Sequence, residues 1–364
     1  MPKPKNIKLS LSPMAGITDL PFRLICKKFG ADIVYSEMIS ATGLFYEKNK
    51  KSLLLAQSIS KENPLAIQLF GNIPEHFAKA TQIISNLNKL EITNRKDKKL
   101  EEIINLSAVR GKTEQCNEVY SRIHGVNRGG FDKEMRQINN FRQPEEININ
   151  FGCPAKKIYK QESGCFLMKK PQLAKKIIKA VTDNTDLPVS IKIRAGIDTS
   201  EALEFLKEVA NLNWTKVIIH GRTYEKGFSG KIDFEKIKKI KELFPQKIVV
   251  ANGGIFSPED ALETLEKTGV DELAIARGCL GNPWLFRQIK DFLETGRYQK
   301  PSLKEIKVVA LEHAQLFEKY NSTKNLTAFR KHLGWYFKDF ENAKQLRKKL
   351  FSLKTLSELK IILK

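Results

Sequence analysis

The sequence predicts an α/β fold in which eight parallel strands close into a barrel, followed by a small all-helical segment. Three observations predict it. Short apolar runs alternate with amphipathic helical patterns up to about residue 295, and such alternation implies parallel pairing. The runs number eight, the count that closes a (β/α)8 TIM barrel. Within several runs apolar and polar residues alternate, although a strand covered by helices has no solvent face for the polar set. An open doubly wound sheet is the competing architecture, but no G-x-G-x-x-G follows the first run.

Taken in order, the first two predicted strands are Lys8–Met14 and Ile33–Met38. The third, Leu65–Phe70, reads "LAIQLF": Leu65, Ile67 and Leu69 share one face, and Ala66, Gln68 and Phe70 the other. A helical pattern over about 75–88 follows, and then the stretch Lys89–Glu145, rich in Lys, Glu, Asn and Arg. That stretch joins a helix to the next strand, so it belongs on the barrel's N-terminal face, away from chemistry. The fourth strand, Ile147–Phe151, sets Ile147 and Ile149 against Asn148 and Asn150. The fifth, Val189–Arg194, sets Val189, Ile191 and Ile193 against Ser190, Lys192 and Arg194. The apolar sets suit the helix-covered outer face, which turns the amides, lysine and arginine inward, and polar groups inside a barrel point to a bound cofactor. Lys216–His220, Ile248–Asn252 and Glu272–Arg277 complete the eight. Helices are predicted at 171–182, 200–211, 233–244 and 257–267.

From Pro301 the pattern changes. Ser302 and Glu305 make a capping box, and Ile306, Val309, Ala310, His313, Phe317 and Tyr320 recur at helical spacing. Residues 1–296 therefore read as the barrel, with an insertion at about 89–145, and 297–364 as a helical domain with Arg and Lys interleaved among aromatics.

The chain has 364 residues, enough for a large domain and a smaller one. Its apolar runs are too short to cross a bilayer, and its first residues lack the apolar stretch of a secretory signal. A cytoplasmic monomer without membrane attachment is the expectation. Five scattered cysteines, with no C-x-x-C pair, argue against a disulfide framework or a structural metal site. The net charge of +22 has two readings. It fits a polyanionic partner such as nucleic acid, and it fits solvated lysine faces produced by coding bias.

The candidate chemistry lies at the ends of the strands. "VVANGGIFSPED" places Asn252, Gly253 and Gly254 after strand seven, and "LAIARGCLGNPW" places Ala276 and Arg277 after strand eight. Glycines there let backbone N–H groups face an anion, and loops seven and eight are the usual phosphate site of such barrels. Lys192 ends strand five, where it suits tuning of a flavin or, read blandly, a buried ion pair. His220 ends strand six, as a cofactor or substrate contact or as a satisfied core histidine. Cys153 in "INFGCPAKK" sits between Gly and Pro with Lys156 and Lys157 close behind, and no His–Asp pattern makes it a protease-like nucleophile. A lysine neighbour lowers a thiol pKa, yet a thiol equally serves as a proton donor.

The ordered runs "SPMAGITDLPFR", "SEMISATG", "IQLFGN", "INFGCPAKK", "IKIRAGID", "IHGRTYEKGFSGKIDF", "ANGGIFSPEDAL" and "ARGCLGNPW" resemble the tRNA-dihydrouridine synthases, and "RKHLGWYFK" resembles the tail of their bacterial B-type branch. The resemblance covers nearly the whole chain apart from 89–145. It implies an FMN-binding barrel followed by a tRNA-binding helical domain, with NADPH or NADH as reductant. It further implies that Pro13, Met14, Ala15, Gln68, Lys192 and His220 contact the flavin. Asn252, Gly253, Gly254, Ala276 and Arg277 match phosphate-binding positions. Cys153 matches the general acid, and Asn150 and Arg222 match positions near flavin and uracil. The chain departs from the family's pattern at Gly254, where Asp is common, at Ala276, where Gly is common, and in "GCFLM" after Ser163. Two other functions compete: a flavin barrel acting on a free pyrimidine, and a tRNA-binding protein without chemistry.

Overall fold

The computed structural model describes residues 7–46, 51–87, 141–321, 324–338 and 343–364. Eight parallel strands close a barrel in chain order, and the eighth pairs with the first. They are Lys8–Leu11, Ile33–Ser40, Leu65–Phe70, Glu146–Phe151, Val189–Arg194, Lys216–His220, Ile248–Asn252 and Glu272–Ile275. The first and last are shorter than the sequence predicts. Past Leu11 the chain peels away into a turn containing Gly16 at φ 72°, and past Ile275 it enters a tight helix at Arg277–Cys279. The second is longer, with a register shift between Tyr35 and Met38 that hydrophobic periodicity does not report.

The expected two-faced strands are present. Ile67, Leu69, Ile147, Ile149, Ile191 and Ile193 are fully buried in the layer between strands and helices. Each such side chain contributes about 1.5–3 kcal/mol through removal from water. Gln68, Asn148, Asn150, Ser190 and Lys192 occupy the alternate positions inside. Tyr35, Ala66, Ile218, Val250 and Ala274 form a separate apolar cluster.

Pro171–Thr182 is helical as predicted. The helix expected at 200–211 is shorter, Ala202–Val209, because Ser200–Glu201 pairs with Gly196–Ile197 in a small hairpin. Asp233 and Ser257 cap Phe234–Leu243 and Pro258–Thr268 by accepting the amides of Lys236 and Asp260. The helix predicted at 75–88 spans Pro74–Ser85. Most of the insertion at 89–145 lies outside the described residues; its end returns through Glu145, whose amide bonds Leu65 O at 2.9 Å.

After Gly296, at φ 75°, the tail is helical, and Ser302 and Glu305 form the expected capping box. Helices Leu303–Tyr320, Arg330–Tyr336, Ala343–Ser352 and Leu356–Leu363 share an apolar core with Ile25, Phe29 and Trp284 of the barrel. Contact is close enough that a Cβ on Gly281 would lie 2.2 Å from Trp335 O.

Candidate active site

A cavity of about 420 Å³ opens at the C-terminal ends of the strands, where barrels of this kind gather their loops. Pro13, Met14 and Ala15 line it from the loop after strand one, Gln68 from strand three, and Asn150 and Cys153 from the end of strand four. Lys192, His220, Asn252, Gly253, Gly254, Ala276 and Arg277 complete the wall. Of the residues that the family resemblance assigns to the site, Arg222 alone does not line the cavity. Its Nε donates to the carbonyls of Ser229 and Gly230, at 3.3 and 2.5 Å, and its Nη1 is buried with no partner among the described residues.

Cys153 is held by the residue three positions before it. Asn150 Oδ1 accepts the amides of Gly152 and Cys153 at 3.0 and 2.9 Å, while Asn150 Nδ2 donates to Gln68 Oε1 at 2.9 Å. The asparagine thus braces the Gly-Cys-Pro turn with both ends of its amide. Burial raises the Cys153 pKa, against the lowering effect of the Ala155 amide, Lys192 and Arg194. The thiol therefore keeps its proton at neutral pH, as a proton donor requires. Gly164, at φ 63°, packs against this turn; a Cβ there would lie 2.9 Å from Cys153 O.

Lys192 is aimed by Asn252: its Nζ donates to Asn252 Oδ1 at 3.0 Å, and Asn252 Nδ2 is tied to Ala274 O at 2.7 Å. Burial, then Arg194, lower the Lys192 pKa to about 7. His220 is driven far below its usual value by burial and then by Lys192, Arg194, Arg222 and Arg277. It is a neutral imidazole whose Nδ1 accepts from the Arg222 amide at 3.3 Å, leaving the proton on Nε2.

Three observations fit these residues to a phosphate-bearing aromatic cofactor. Gly253 and Gly254 have φ of 100° and 79°, and their amides donate to no group among the described residues. A Cβ on Gly253 would lie 3.1 Å from His220 Nε2, so the chain there passes close under the histidine. Among the described residues no carboxylate lines the cavity, whereas Lys192, Arg194 and Arg277 do. Unpaired amides beside cations are an anion site, and the deeper Gln68 and Lys192 offer hydrogen bonds to the polar edge of a ring.

Several residues in or beside the cavity had no local signal. Arg194, 1% exposed, binds the carbonyls of Gly152, Thr223 and Gly227 at 3.1, 2.8 and 3.0 Å, fastening the cysteine turn to the loop after strand six. Alternation placed it inward but not in this role. Phe228 and Phe256 flank Arg277, whose guanidinium lies 4.9 and 5.6 Å from their ring centres. Lys331 of the tail bonds the carbonyl of Gly16, beside the loop after strand one. Both arrangements join residues far apart in the chain.

Fold and site together define a barrel with a cationic cavity at the C-terminal ends of its strands, lined by a protonated thiol, the arrangement of a barrel enzyme. The dihydrouridine synthase family model matches residues 10–93 and 132–364, and the chain belongs to that family. It is 31% identical over 97% of its length to the probable tRNA-dihydrouridine synthase 1 of Synechocystis sp., covering 84% of that protein. It is 32% identical over 96% of its length to tRNA-dihydrouridine synthase B of Shewanella oneidensis, covering 92% of it. Among solved structures, histamine dehydrogenase from Rhizobium sp. 4-9 aligns with a TM-score of 0.47 at 15% identity. The alignment covers 85% of this chain and 49% of that one.

Proposed function

We propose that this enzyme reduces particular uridines of tRNA to 5,6-dihydrouridine, using FMN recharged by NADPH. The observation that carries this reading is the thiol of Cys153, protonated and fixed at the mouth of a cationic cavity. Pro13, Met14, Ala15, Gln68, Lys192 and His220 would hold the ring system, and Asn252, Gly253, Gly254, Ala276 and Arg277 the phosphate. Bound there, a flavin would supply the hydride that C6 of the uracil requires, with NADPH as the reductant that recharges it.

The chain's own residues do the rest. Cys153 holds the proton that C5 requires, and Asn150 fixes the turn that presents it. Lys192 would lie beside the ring edge and, as an ammonium, would stabilise negative charge that reduction places there. Arg194 ties the cysteine turn to the loop that carries Arg222, the residue we assign with Asn150 to the uracil. A uracil stacked within tRNA must leave the stack to reach this depth. Residues 297–364, which we assign as a tRNA-binding domain, stand beside the loop after strand one and carry basic side chains suited to phosphates.

The test is to incubate the purified enzyme with NADPH and unmodified tRNA. Dihydrouridine should form with NADPH oxidation that depends on the RNA. Equal oxidation with free uracil in place of tRNA would overturn the reading.

A further inference from the structure

Below the cavity, two buried carboxylates and a buried lysine lie inside the barrel. Lys216 Nζ is 3.0 Å from Glu146 Oε2 and 3.3 Å from Glu272 Oε2, and all three side chains are less than a tenth exposed. The Tyr35 hydroxyl donates to Glu146 Oε1 at 2.7 Å, and the Ser190 hydroxyl bonds the same oxygen. From this cluster a line of side chains climbs toward the cavity. Asn148 Nδ2 donates to Ser190 Oγ at 2.6 Å, and Gln68 Nε2 donates to Asn148 Oδ1 at 2.6 Å. Asn150 Nδ2 then donates to Gln68 Oε1 at 2.9 Å, and the amides of Gly152 and Cys153 donate to Asn150 Oδ1.

The direction of this line follows from its ends. A carboxylate paired with lysine only accepts, and a backbone N–H only donates. Each intervening amide is free in principle to turn over, but both ends demand the same sense: every donor points toward Glu146. Gln68 consequently presents its amide to the cavity in one orientation. The line is not forced by the barrel's need for filling, because Ala66, Ile218, Val250 and Ala274 fill other inward positions with apolar groups.

We propose that Asn148 and Ser190 are positioning residues: they complete a one-way hydrogen-bond chain from Glu146 to the Cys153 turn, which holds Gln68 and Cys153 in a single arrangement. Both are fully buried, and neither lines the cavity. Their importance for catalysis rests on the roles proposed above for Gln68 and Cys153.

The test uses the full chain without cofactor. Ser190→Ala removes one link and leaves the Asn148 amide without an acceptor; Ser190→Thr retains the hydroxyl. Hydrogen exchange is followed by segment, together with the rate at which iodoacetamide modifies Cys153. Loss of one buried hydrogen bond should raise exchange at Gly152 and Cys153, and the alkylation rate, about fivefold in Ser190→Ala. Exchange in helix Pro258–Thr268 should stay unchanged, and Ser190→Thr should restore both readings. Unchanged exchange at Cys153 would overturn the proposal, as would an equal rise in Pro258–Thr268. Should Ser190→Ala not fold, Asn148→Asp serves: it places acceptors on both sides of the single Ser190 hydrogen and should loosen the same turn. Neither readout needs tRNA, flavin or turnover, so the chain and the proposed activity stand or fall separately.

Discussion

At the scale of single residues, the site separates holding a proton from holding a cofactor. Cys153→Ala removes the proton donor and none of the groups that line the phosphate loops. It should bind FMN as tightly as the parent yet lose most dihydrouridine formation, by about a hundredfold. Flavin titration and product analysis check the pair, and comparable product from both proteins would remove Cys153 from this role. Lys192 gives a prediction in pH. In the free protein its pKa is lowered from 10.5 to about 7, so between those values the unfolded chain carries a proton that the folded one lacks. Its contribution to stability is therefore present above 10.5 and lost as pH falls through 7. An anionic ring edge beside it favours the ammonium. Binding of the reduced cofactor, whose ring is anionic, should take up a proton at about pH 8, read by anaerobic calorimetry in buffers of different ionisation enthalpy. Binding without proton uptake contradicts this assignment.

At the scale of elements, much was legible in the chain itself. Alternation in "LAIQLF", "ININ" and "VSIKIR" placed Gln68, Asn148, Asn150, Ser190 and Lys192 inside, because an outer face packed on helices must be apolar. It did not tell which inward groups meet a ligand and which meet each other. Asn148 and Ser190 are satisfied entirely within the protein, a pairing across strands that no local pattern encodes. The bulge in strand two and the hairpin that shortens the helix after strand five were hidden for the same reason. So was the buried pair of Arg23 and Glu62, whose atoms approach to 2.5 Å across thirty-nine positions of sequence. Glu62→Ala would leave that guanidinium buried and uncompensated, at a cost of about 3–5 kcal/mol. Urea unfolding measures it, and a cost near zero would contradict the structure at this contact.

At the scale of the whole molecule, the tail and barrel share one core, with Ile25, Phe29 and Trp284 packed among the tail's helices. That arrangement places Lys331 against Gly16, next to the cavity's first loop. Sequence spacing gave the helices and the capping box, but not their seat. The junction is sensitive at Gly281, where φ is 74° and Trp335 O leaves no room for a Cβ. Gly281→Ala should destabilise the protein by about 2 kcal/mol or more, seen as a lower unfolding midpoint. The net charge of +22 suits a surface for RNA, and tRNA affinity should fall steeply with added salt. All of this serves one claim, that the cavity and its thiol act on uridine within tRNA. The most direct measurement is a nucleotide-by-nucleotide map of dihydrouridine in tRNA from cells lacking the gene and from cells given it back. Dihydrouridine should vanish from a defined set of positions and return with the gene; an identical map in both would contradict the account.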